Sequence, residues 1–409
     1  MIRLRQAGLL IIGIALAGLA GWRVFATAVA ERRASHVPEE SLQLERRNPA
    51  AMLTLAQRHL QDRDAEGAIA IAHELLREEP LTGQAFVILA KAAEATGDST
   101  QAEALYRVAV RRAPRDVYVR AWLVRDLLMK TRYAEALAQF DTLFRLSPGQ
   151  AQDFLPVFAQ LAEAPDFAQA LIVAVGSSAS WKTSMFSTLL ERGNHDVVDQ
   201  FFGGLLRQGN LSDEETGRWL DWLMQHGHWD EAYARWVGWL KLAPGAALPL
   251  LFNGGFETDP SGIGFDWRIR PTPGVTIERQ HKPGASQNFA LSVSFSGRRV
   301  PEINLEQRLF LSPGIYEMSF RARAEGLHSD KGLQWAVQCF AASEPATVSD
   351  LLDGSFEWKR FESVLTVPDA GCLSQRIWLR NPGAAAAGKD VVGDVWFDDF
   401  AIVKASNSR

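Results

Sequence analysis

The side chains that could do chemistry in this chain of 409 residues do not form a catalytic set. The sequence lacks Gly-x-Ser-x-Gly, His-Glu-x-x-His, a phosphate-binding loop and the glycine fingerprint of dinucleotide sites. Glu302 and Glu306 are the nearest pair of carboxylates, but they share one face of a predicted strand, whereas glycoside hydrolysis needs two carboxylates across a cleft. His226 and His228 fall at a helix–helix turn, where solvation is favoured over metal binding. We therefore predict a protein that is not an enzyme, with a glycan-modifying enzyme as the remote alternative.

A different set of polar side chains alternates with apolar ones along three predicted strands. Alternation puts every second residue on one face of a sheet, so the polar members point away from the core. If the strands are neighbours, their shared face suits an acidic sugar, because guanidinium groups pair with carboxylates and an indole stacks on a pyranose ring. The alternative is an ordinary solvated sheet face. The candidate residues are Arg321, Arg323, Gln334, Gln338, Arg376, Trp378 and Arg380.

Two cysteines, Cys339 and Cys372, are the only ones in the chain. An even pair in an oxidising compartment predicts a disulfide, and two buried free thiols are the alternative. Two cysteines are too few for a disulfide-dense scaffold or an iron–sulfur cluster.

Composition and charge narrow the class of protein. The chain is 47% hydrophobic and 22% charged, which is typical of globular proteins. Its 43 Lys and Arg against 48 Asp and Glu leave a net charge of -5, so nucleic acid is not an expected partner.

The N-terminal residues 1–30 contain an apolar run from Ala7 to Ala30 that only Arg23 interrupts with a charge. This run exceeds the roughly 20 residues that cross a bilayer core. We favour an uncleaved membrane anchor, because a signal-peptide core usually has only about 7–15 apolar residues. A cleaved signal peptide is the alternative, since Ala26-Thr27-Ala28 and Ala28-Val29-Ala30 are both suitable cleavage sites. Either interpretation places the body of the protein outside the cytoplasm.

Residues 31–248 have a helical period that repeats every 34 residues. The prolines at 80, 114 and 148 keep this spacing, and so do the alanines at 68, 102 and 136. A small residue lets two helices approach each other, and a proline stops the second helix of each pair. This pattern resembles the tetratricopeptide repeat, which implies a docking surface for a protein partner. We predict about six helix pairs in this region, four of which are recognisable repeats. The signature positions are Ala68, Pro80, Ala90, Ala102, Tyr106, Pro114, Ala136, Phe140, Pro148, Ala232 and Pro244.

Five tryptophans cluster at the end of this helical region. We predict that they form an apolar cap that joins the repeats to the next domain, because terminal repeats need atypical residues to close a core. A ligand platform is the alternative. The five residues are Trp219, Trp222, Trp229, Trp236 and Trp239.

In residues 249–409 the period changes to short alternating segments separated by Gly, Pro and Asn. About nine predicted strands indicate an antiparallel β-sandwich of the jelly-roll kind. The segments 253–257, 265–267 and 396–400 (Asn-Gly-Gly-Phe-Glu, Phe-Asp-Trp and Trp-Phe-Asp-Asp-Phe) resemble a carbohydrate-binding module of the galactose-binding-like type. The resemblance implies that the first and last strands lie together.

The same resemblance implies a structural calcium ion between these strands, and no other cofactor is expected. Its candidate ligands are Glu257 and Asp398 or Asp399, because carboxylate oxygens suit Ca²⁺. In the alternative interpretation these acids only cap turns and strand ends.

The order of anchor, helical repeats and β-sandwich resembles a group of bacterial proteins encoded among exopolysaccharide or O-antigen assembly genes. The resemblance implies a single-pass inner-membrane protein with its body in the periplasm, where the repeats dock a protein and the sandwich contacts a polysaccharide. A secreted protein is the alternative location. A protein–protein scaffold without sugar binding is the alternative function.

Overall fold

The computed structural model describes residues 2–176, 179–242, 247–282, 288–382 and 390–405, with the side chains of residues 2–16 outside the description. The described residues are helical in the first half and β-stranded in the second, which confirms the predicted order. Their contacts divide the chain into two compact units, Met1–Phe201 and Phe202–Arg409. The predicted boundary between residues 248 and 249 stays a prediction.

The first unit consists of helices. The long helix α1 (Ile2–Arg33) and the short helix α2 (Pro38–Leu44) come first. The following helices are α3 (Pro49–Gln61), α4 (Ala65–Glu78), α5 (Gly83–Ala95), α6 (Ser99–Arg112), α7 (Val117–Met129), α8 (Tyr133–Leu146), α9 (Pro148–Ala151), α10 (Leu155–Leu161), α11 (Pro165–Gly176), α12 (Lys182–Arg192) and α13 (His195–Arg207). The helix α13 crosses the boundary between the two units.

The helix pairs have the packing that the 34-residue period predicts. Each predicted proline lies two residues beyond the last residue of α4, α6 or α8. Ala68, Ala102 and Ala136 are fully or almost fully buried at their helix crossings, and so are the large residues Tyr106 and Phe140. Ala90 and Ala232 are buried as well, whereas Pro244 lies outside the described residues.

Four helices of the first unit, α3, α4, α6 and α7, begin at residues with short polar side chains. Asn48, Asp64, Asp98 and Asp116 each accept a hydrogen bond from a backbone N–H in the first turn of the following helix. These side chains satisfy N–H groups that have no partner inside the helix. The sequence therefore marks the start of these four helices as well as the ends that the prolines mark.

Within the part of the chain whose side chains are described, no helix has both the length and the apolar character needed to span a membrane. The predicted anchor, from Ala7 to Ala30, begins among residues whose side chains lie outside the description.

After the end of α13, the second unit continues with the last helix pair, α14 (Asp213–Gln225) and α15 (Trp229–Trp239). Counted in chain order with α3/α4, α5/α6, α7/α8, α10/α11 and α12/α13, this pair makes six among the described helices, in line with the predicted number of about six. The α10/α11 pair is irregular, because α10 packs mainly on α12 and α11 packs mainly on α8. A capping box opens α14, because Ser212 N donates to Glu215 Oε2 at 2.9 Å and Glu215 N donates to Ser212 Oγ at 3.2 Å.

Ten strands follow in the described part of the second unit. They are β1 (Arg268–Ile269), β2 (Val275–His281), β3 (Phe289–Arg299), β4 (Leu305–Leu309), β5 (Gly314–His328), β6 (Gln334–Cys339), β7 (Thr347–Val348), β8 (Gly354–Val367), β9 (Gln375–Arg380) and β10 (Asp390–Lys404). Sheet A has the order β1-β4-β9-β6-β7, and sheet B has the order β2-β3-β10-β5-β8. The pairing in both sheets is antiparallel, as predicted.

The core of the β-sandwich is aromatic and lies between the inner faces of the two sheets. Trp335 of sheet A packs edge-on against Phe397 and Phe400 of sheet B, with ring centroids 5.2 and 4.8 Å apart. A disulfide joins Cys339, at the end of β6, to Cys372, with the two Cα atoms 5.1 Å apart. The disulfide therefore fixes a loop to the inner side of sheet A.

The predicted tryptophan cap packs the last helix pair onto the β-sandwich. The rings of Trp229 and Phe340 are 5.0 Å apart, and those of Trp236 and Phe252 are 5.2 Å apart. Tyr233 of α15 also lies 5.1 Å from Phe265. The contacts agree with an apolar junction, and they place this helix pair inside the second unit.

Candidate functional site

The register of sheet A brings five of the predicted binding residues onto one face. Gln334 lies opposite Arg380, and Gln338 lies opposite Arg376. Trp378 stands between the two arginines on β9, with Ala336 and Glu306 opposite it on the neighbouring strands. Because residues that pair directly across antiparallel strands share a face, these five residues form one surface.

The two remaining candidates, Arg321 and Arg323, belong to a different surface, so the prediction of one common face is wrong for them. Both lie on β5, which pairs with β8 and β10 in sheet B. Arg323 forms ion pairs with Glu325 and Glu357 there. Alternation identifies the outward residues of a strand, but it carries no information on which sheet the strand joins.

Helix α14 covers one end of the outer face of sheet A. The Arg268 guanidinium donates to both carboxylate oxygens of Asp221, at 3.1 and 2.7 Å, and Arg308 Nη1 donates to Asp221 Oδ1 at 2.6 Å. The two arginine side chains are only 10% and 14% exposed. One carboxylate of the helix thus holds two buried cations of the sheet.

This arrangement sets the charge state of the aspartate. Burial raises the pKa of Asp221, but the hydrogen bonds and charges of Arg268 and Arg308 outweigh burial, so the pKa lies below its ordinary value. The carboxylate is therefore ionised at neutral pH, and it compensates the repulsion between the two guanidinium groups.

The uncovered part of the same face forms a cavity of about 410 Å³. The floor comes from β4, β6 and β9, and two loops at residues 301–304 and 343–345 form the wall. The lining residues that carry polar or aromatic side chains are Glu302, Asn304, Glu306, Gln338, Ser343, Glu344, Arg376, Trp378, Arg380 and Asn381.

Trp378 and Arg376 contact each other in the lining of this cavity. The Arg376 guanidinium lies 4.4 Å from the centroid of the Trp378 ring, so it covers one face of the indole. Arg376 Nη2 also donates to Gln338 Oε1 at 3.2 Å, and Arg376 Nη1 lies 3.8 Å from Glu306 Oε2. Gln338 Nε2 in turn donates to the carbonyl of Ala342 in the loop. This network orients both the ring and its donors.

The charges of the cavity do not select an acidic ligand. Three carboxylates, those of Glu302, Glu306 and Glu344, lie with the guanidinium groups of Arg376 and Arg380. Carboxylates accept hydrogen bonds from hydroxyl groups, and guanidinium groups donate to them. The lining therefore suits a neutral polyhydroxyl ligand better than the acidic sugar that the sequence suggested.

Sequence reasoning identified part of this lining and missed the rest. The sequence favours exposed charges for Glu302 and Glu306, and Glu302 is indeed exposed. The Glu306 side chain is only 21% exposed, and both residues line the cavity. Glu344 lies in a loop between two strands, where no periodicity marks it as a site residue.

The calcium candidates lie on sheet B and at the entrance to the sandwich. Asp398 and Asp399 belong to β10, and each has an oxygen within 4.0 Å of the Lys282 ammonium. Glu257 Oε1 accepts a hydrogen bond from Phe289 N at 3.3 Å.

A larger cavity, of about 720 Å³, lies in the first unit along α5 and α7 and the loop before α7. Lys91, Arg112 and Arg115 contribute three positive charges to its lining, and Asp116 contributes one negative charge. The Lys91 ammonium lies 3.7 Å from the centroid of the Tyr118 ring, and burial lowers the pKa of Lys91 despite its acidic neighbours. This basic groove was not predicted, because its residues are adjacent only after the helices pack.

Comparison with known proteins supports the interpretation of the helical half. A sequence model described as the tetratricopeptide repeat matches residues 53–117. The helical region resembles tetratricopeptide-repeat proteins. No curated protein matches the chain.

Several solved structures resemble one half of the chain or the other. A structure titled "CBM4 structure and function" has a TM-score of 0.30 and 14% identity, with 38% of this chain and 99% of that chain covered. The CBM22-1 xylan-binding domain of Paenibacillus barcinonensis Xyn10C has a TM-score of 0.27 and 16% identity, with coverages of 39% and 100%. TTC0263, a thermophilic TPR protein of Thermus thermophilus, has a TM-score of 0.27 and 17% identity, with coverages of 48% and 96%. At these scores, none of the three indicates what this chain binds.

Proposed function

We propose that this protein is a non-catalytic binding scaffold, in which the helical repeats dock a protein and the β-sandwich binds a glycan. The cavity beside Trp378 is the observation that carries the glycan part. It combines an indole ring, hydrogen-bond donors and hydrogen-bond acceptors on a rigid sheet, which is the combination that sugar recognition requires. The repeat match at residues 53–117 supports the protein-docking part.

The positive charge of the basic groove favours a partner with negative charge. Arg112 and Arg115 are exposed residues that line the groove, so their charges are accessible to a ligand. An extended acidic segment would satisfy them, and complementary charge would raise its rate of association.

The cellular part of the proposal rests on the sequence. The apolar segment from Ala7 to Ala30 would anchor the protein in a bacterial inner membrane, with the body in the periplasm. A disulfide between Cys339 and Cys372 is compatible with that compartment. In this setting the protein would be an accessory of exopolysaccharide or O-antigen assembly or export.

One observation favours a purely structural scaffold as the second candidate. Arg376 covers one face of the Trp378 ring, so this face is not free to stack on a sugar unless the guanidinium moves. If the guanidinium does not move, the β-sandwich would bind no sugar here and would serve as a second protein-docking surface.

Replacing Trp378 by alanine is expected to weaken glycan binding by about tenfold or more, because loss of ring stacking costs on the order of 1.4 kcal/mol. The measurement is a calorimetric titration of the full chain with neutral and acidic bacterial exopolysaccharides. Trp396→Ala is the matched control, since Trp396 is a half-buried tryptophan on sheet B.

We expect the wild-type protein and the Trp396→Ala variant to bind the same polymer, and to prefer the neutral one. Absence of binding by the folded wild-type protein would favour the structural scaffold. Equal binding by both variants would place the glycan site elsewhere.

Replacing both Arg112 and Arg115 by glutamate is expected to abolish binding of an acidic peptide, because the groove would change from basic to acidic. The measurement is fluorescence anisotropy with a labelled oligoglutamate peptide, at low and at physiological ionic strength. Arg107→Glu serves as the control, because Arg107 lies on the exposed surface of α6 outside the cavity. A wild-type protein that does not distinguish oligoglutamate from oligolysine would contradict the assignment of an acidic partner.

A further inference from the structure

The entry segment of the β-sandwich lies directly against the last strand. Phe400 N donates to the carbonyl oxygen of Gly254 at 2.9 Å. A Cβ atom on Gly254 would lie 2.0 Å from the Phe400 carbonyl oxygen, so only glycine allows this approach. The resemblance to sugar-binding modules assigns a structural calcium ion to this junction. The oxygen atoms present there allow a test of that assignment.

The carboxylates of the last strand already have a cation. Lys282 Nζ donates to Asp398 Oδ2 at 2.5 Å and lies 3.8 Å from Asp399 Oδ2. The Lys282 and Asp398 side chains are 12% and 4% exposed, and the ammonium also lies 4.6 Å from the centroid of the Trp358 ring. The lysine is therefore enclosed by two acids and an aromatic face.

The carbonyl oxygens of the entry segment also have a cation. Arg279 Nε donates to the carbonyl of Phe256 at 2.6 Å, and Arg279 Nη2 donates to the carbonyl of Glu257 at 2.7 Å. The guanidinium stacks on the Phe289 ring, 3.3 Å from its centroid, and the side chain is only 18% exposed. This geometry fixes the segment in the way that a metal ion bound to the same carbonyls would.

This donor set does not fit calcium. Ca²⁺ takes six to eight oxygen ligands at about 2.3–2.6 Å. Two carbonyl groups of the junction already accept hydrogen bonds from Arg279, and two carboxylates already form ion pairs with Lys282. A divalent ion placed among these oxygen atoms would be repelled by the Lys282 ammonium.

We propose that Arg279 and Lys282 replace the metal ion at this junction, so that the β-sandwich folds without calcium. Arg279 lies near the end of β2, an edge strand of sheet B, and Lys282 is the residue directly after that strand. Arg279 holds the entry segment and Lys282 holds the last strand, so one short stretch of chain joins the two. The proposal is independent of whether the sandwich binds a glycan.

The test is scanning calorimetry of the full chain in CaCl₂ and in EDTA, together with equilibrium dialysis against labelled calcium. We expect the wild-type protein to retain no calcium and to unfold at the same midpoint in both buffers. Retention of about one equivalent of calcium, or a lower midpoint in EDTA, would overturn the proposal.

Variants of Lys282 test the replacement itself. Lys282→Met leaves Asp398 buried without its cation and is expected to lower the midpoint of the sandwich transition by roughly 5–10 °C. Lys282→Arg keeps the positive charge, so its unfolding midpoint is expected to stay closer to that of the wild-type protein. Lys359→Met is the matched control, because Lys359 is an exposed lysine of β8.

The double variant Lys282→Met with Asp398→Asn distinguishes the loss of the ion pair from a general disturbance of packing at residue 282. Because it removes both charges of the buried pair, its midpoint is expected to recover at least part of the loss seen in Lys282→Met. A midpoint of Lys282→Met equal to that of Lys359→Met, or a double variant no more stable than Lys282→Met, would show that the ammonium does not hold the junction.

Discussion

Replacing Asp221 by asparagine is expected to lower the free energy of unfolding of the second unit by about 2–4 kcal/mol. The substitution leaves Arg268 and Arg308 buried side by side with no carboxylate between them. The loss of stability is expected to be smaller than for a fully buried ion pair, because the Asp221 side chain is 33% exposed and solvent screens its charge. Urea unfolding of the full chain, followed by tryptophan fluorescence, measures the change, because tryptophans of α14 and α15 lie next to this group.

The matched control is Asp230→Asn, which removes an exposed carboxylate from the first turn of α15. A loss of more than about 1 kcal/mol is not expected there. If both variants lost the same free energy, the Asp221 carboxylate would have no special role in holding the two arginines.

The low pKa of Asp221 also predicts how this stabilisation depends on pH. An aspartate whose pKa is lower in the folded state stabilises the protein fully above its unfolded-state pKa of about 3.9, and the contribution is lost as the pH falls through the folded-state pKa. The difference between the wild-type protein and Asp221→Asn should therefore be constant near neutral pH and shrink in acid. A difference that grows as the pH falls would contradict the assigned direction of the shift.

Removal of the disulfide is expected to have an effect of similar size. Cys339 and Cys372 are 33 residues apart, and opening a loop of this length costs about 3–4 kcal/mol through the entropy of the unfolded chain. The double variant Cys339→Ala with Cys372→Ala should therefore unfold at a lower urea concentration than the wild-type protein. Equilibrium unfolding with and without reductant measures the effect.

The variant supplies its own control, because reductant should destabilise the wild-type protein and leave the cysteine-free variant unchanged. A wild-type protein that is indifferent to reductant would show that the two sulfur atoms are not joined in solution.

The sequence predicted best the features that depend on neighbouring residues along the chain. The 34-residue spacing of Pro80, Pro114 and Pro148 located the ends of α4, α6 and α8, since a proline stops a helix wherever the helix lies in the fold. Alternation likewise predicted correctly that Arg376 and Trp378 point away from the core of the sandwich. These are local consequences of backbone geometry.

Features that depend on which strands become neighbours were harder to predict. Arg321 and Arg323 alternate as cleanly as Arg376 and Arg380, but their strand joins the other sheet. Loop residues such as Glu344 carry no period at all, and the pairing of Lys282 with Asp398 spans 116 residues. The full set of residues that line the cavity could therefore be identified only from the fold.

The last helix pair has a consequence for how this gene can be cut and recombined. By sequence, α14 and α15 are one more repeat, but their contacts belong to the second unit. A fragment that begins at Pro249 would expose Phe252 and Phe265 to water and leave Arg268 without Asp221. The helix pair and the β-sandwich therefore have to stay together if these contacts are to be kept. A gene segment that is exchanged between proteins would have to begin before α14.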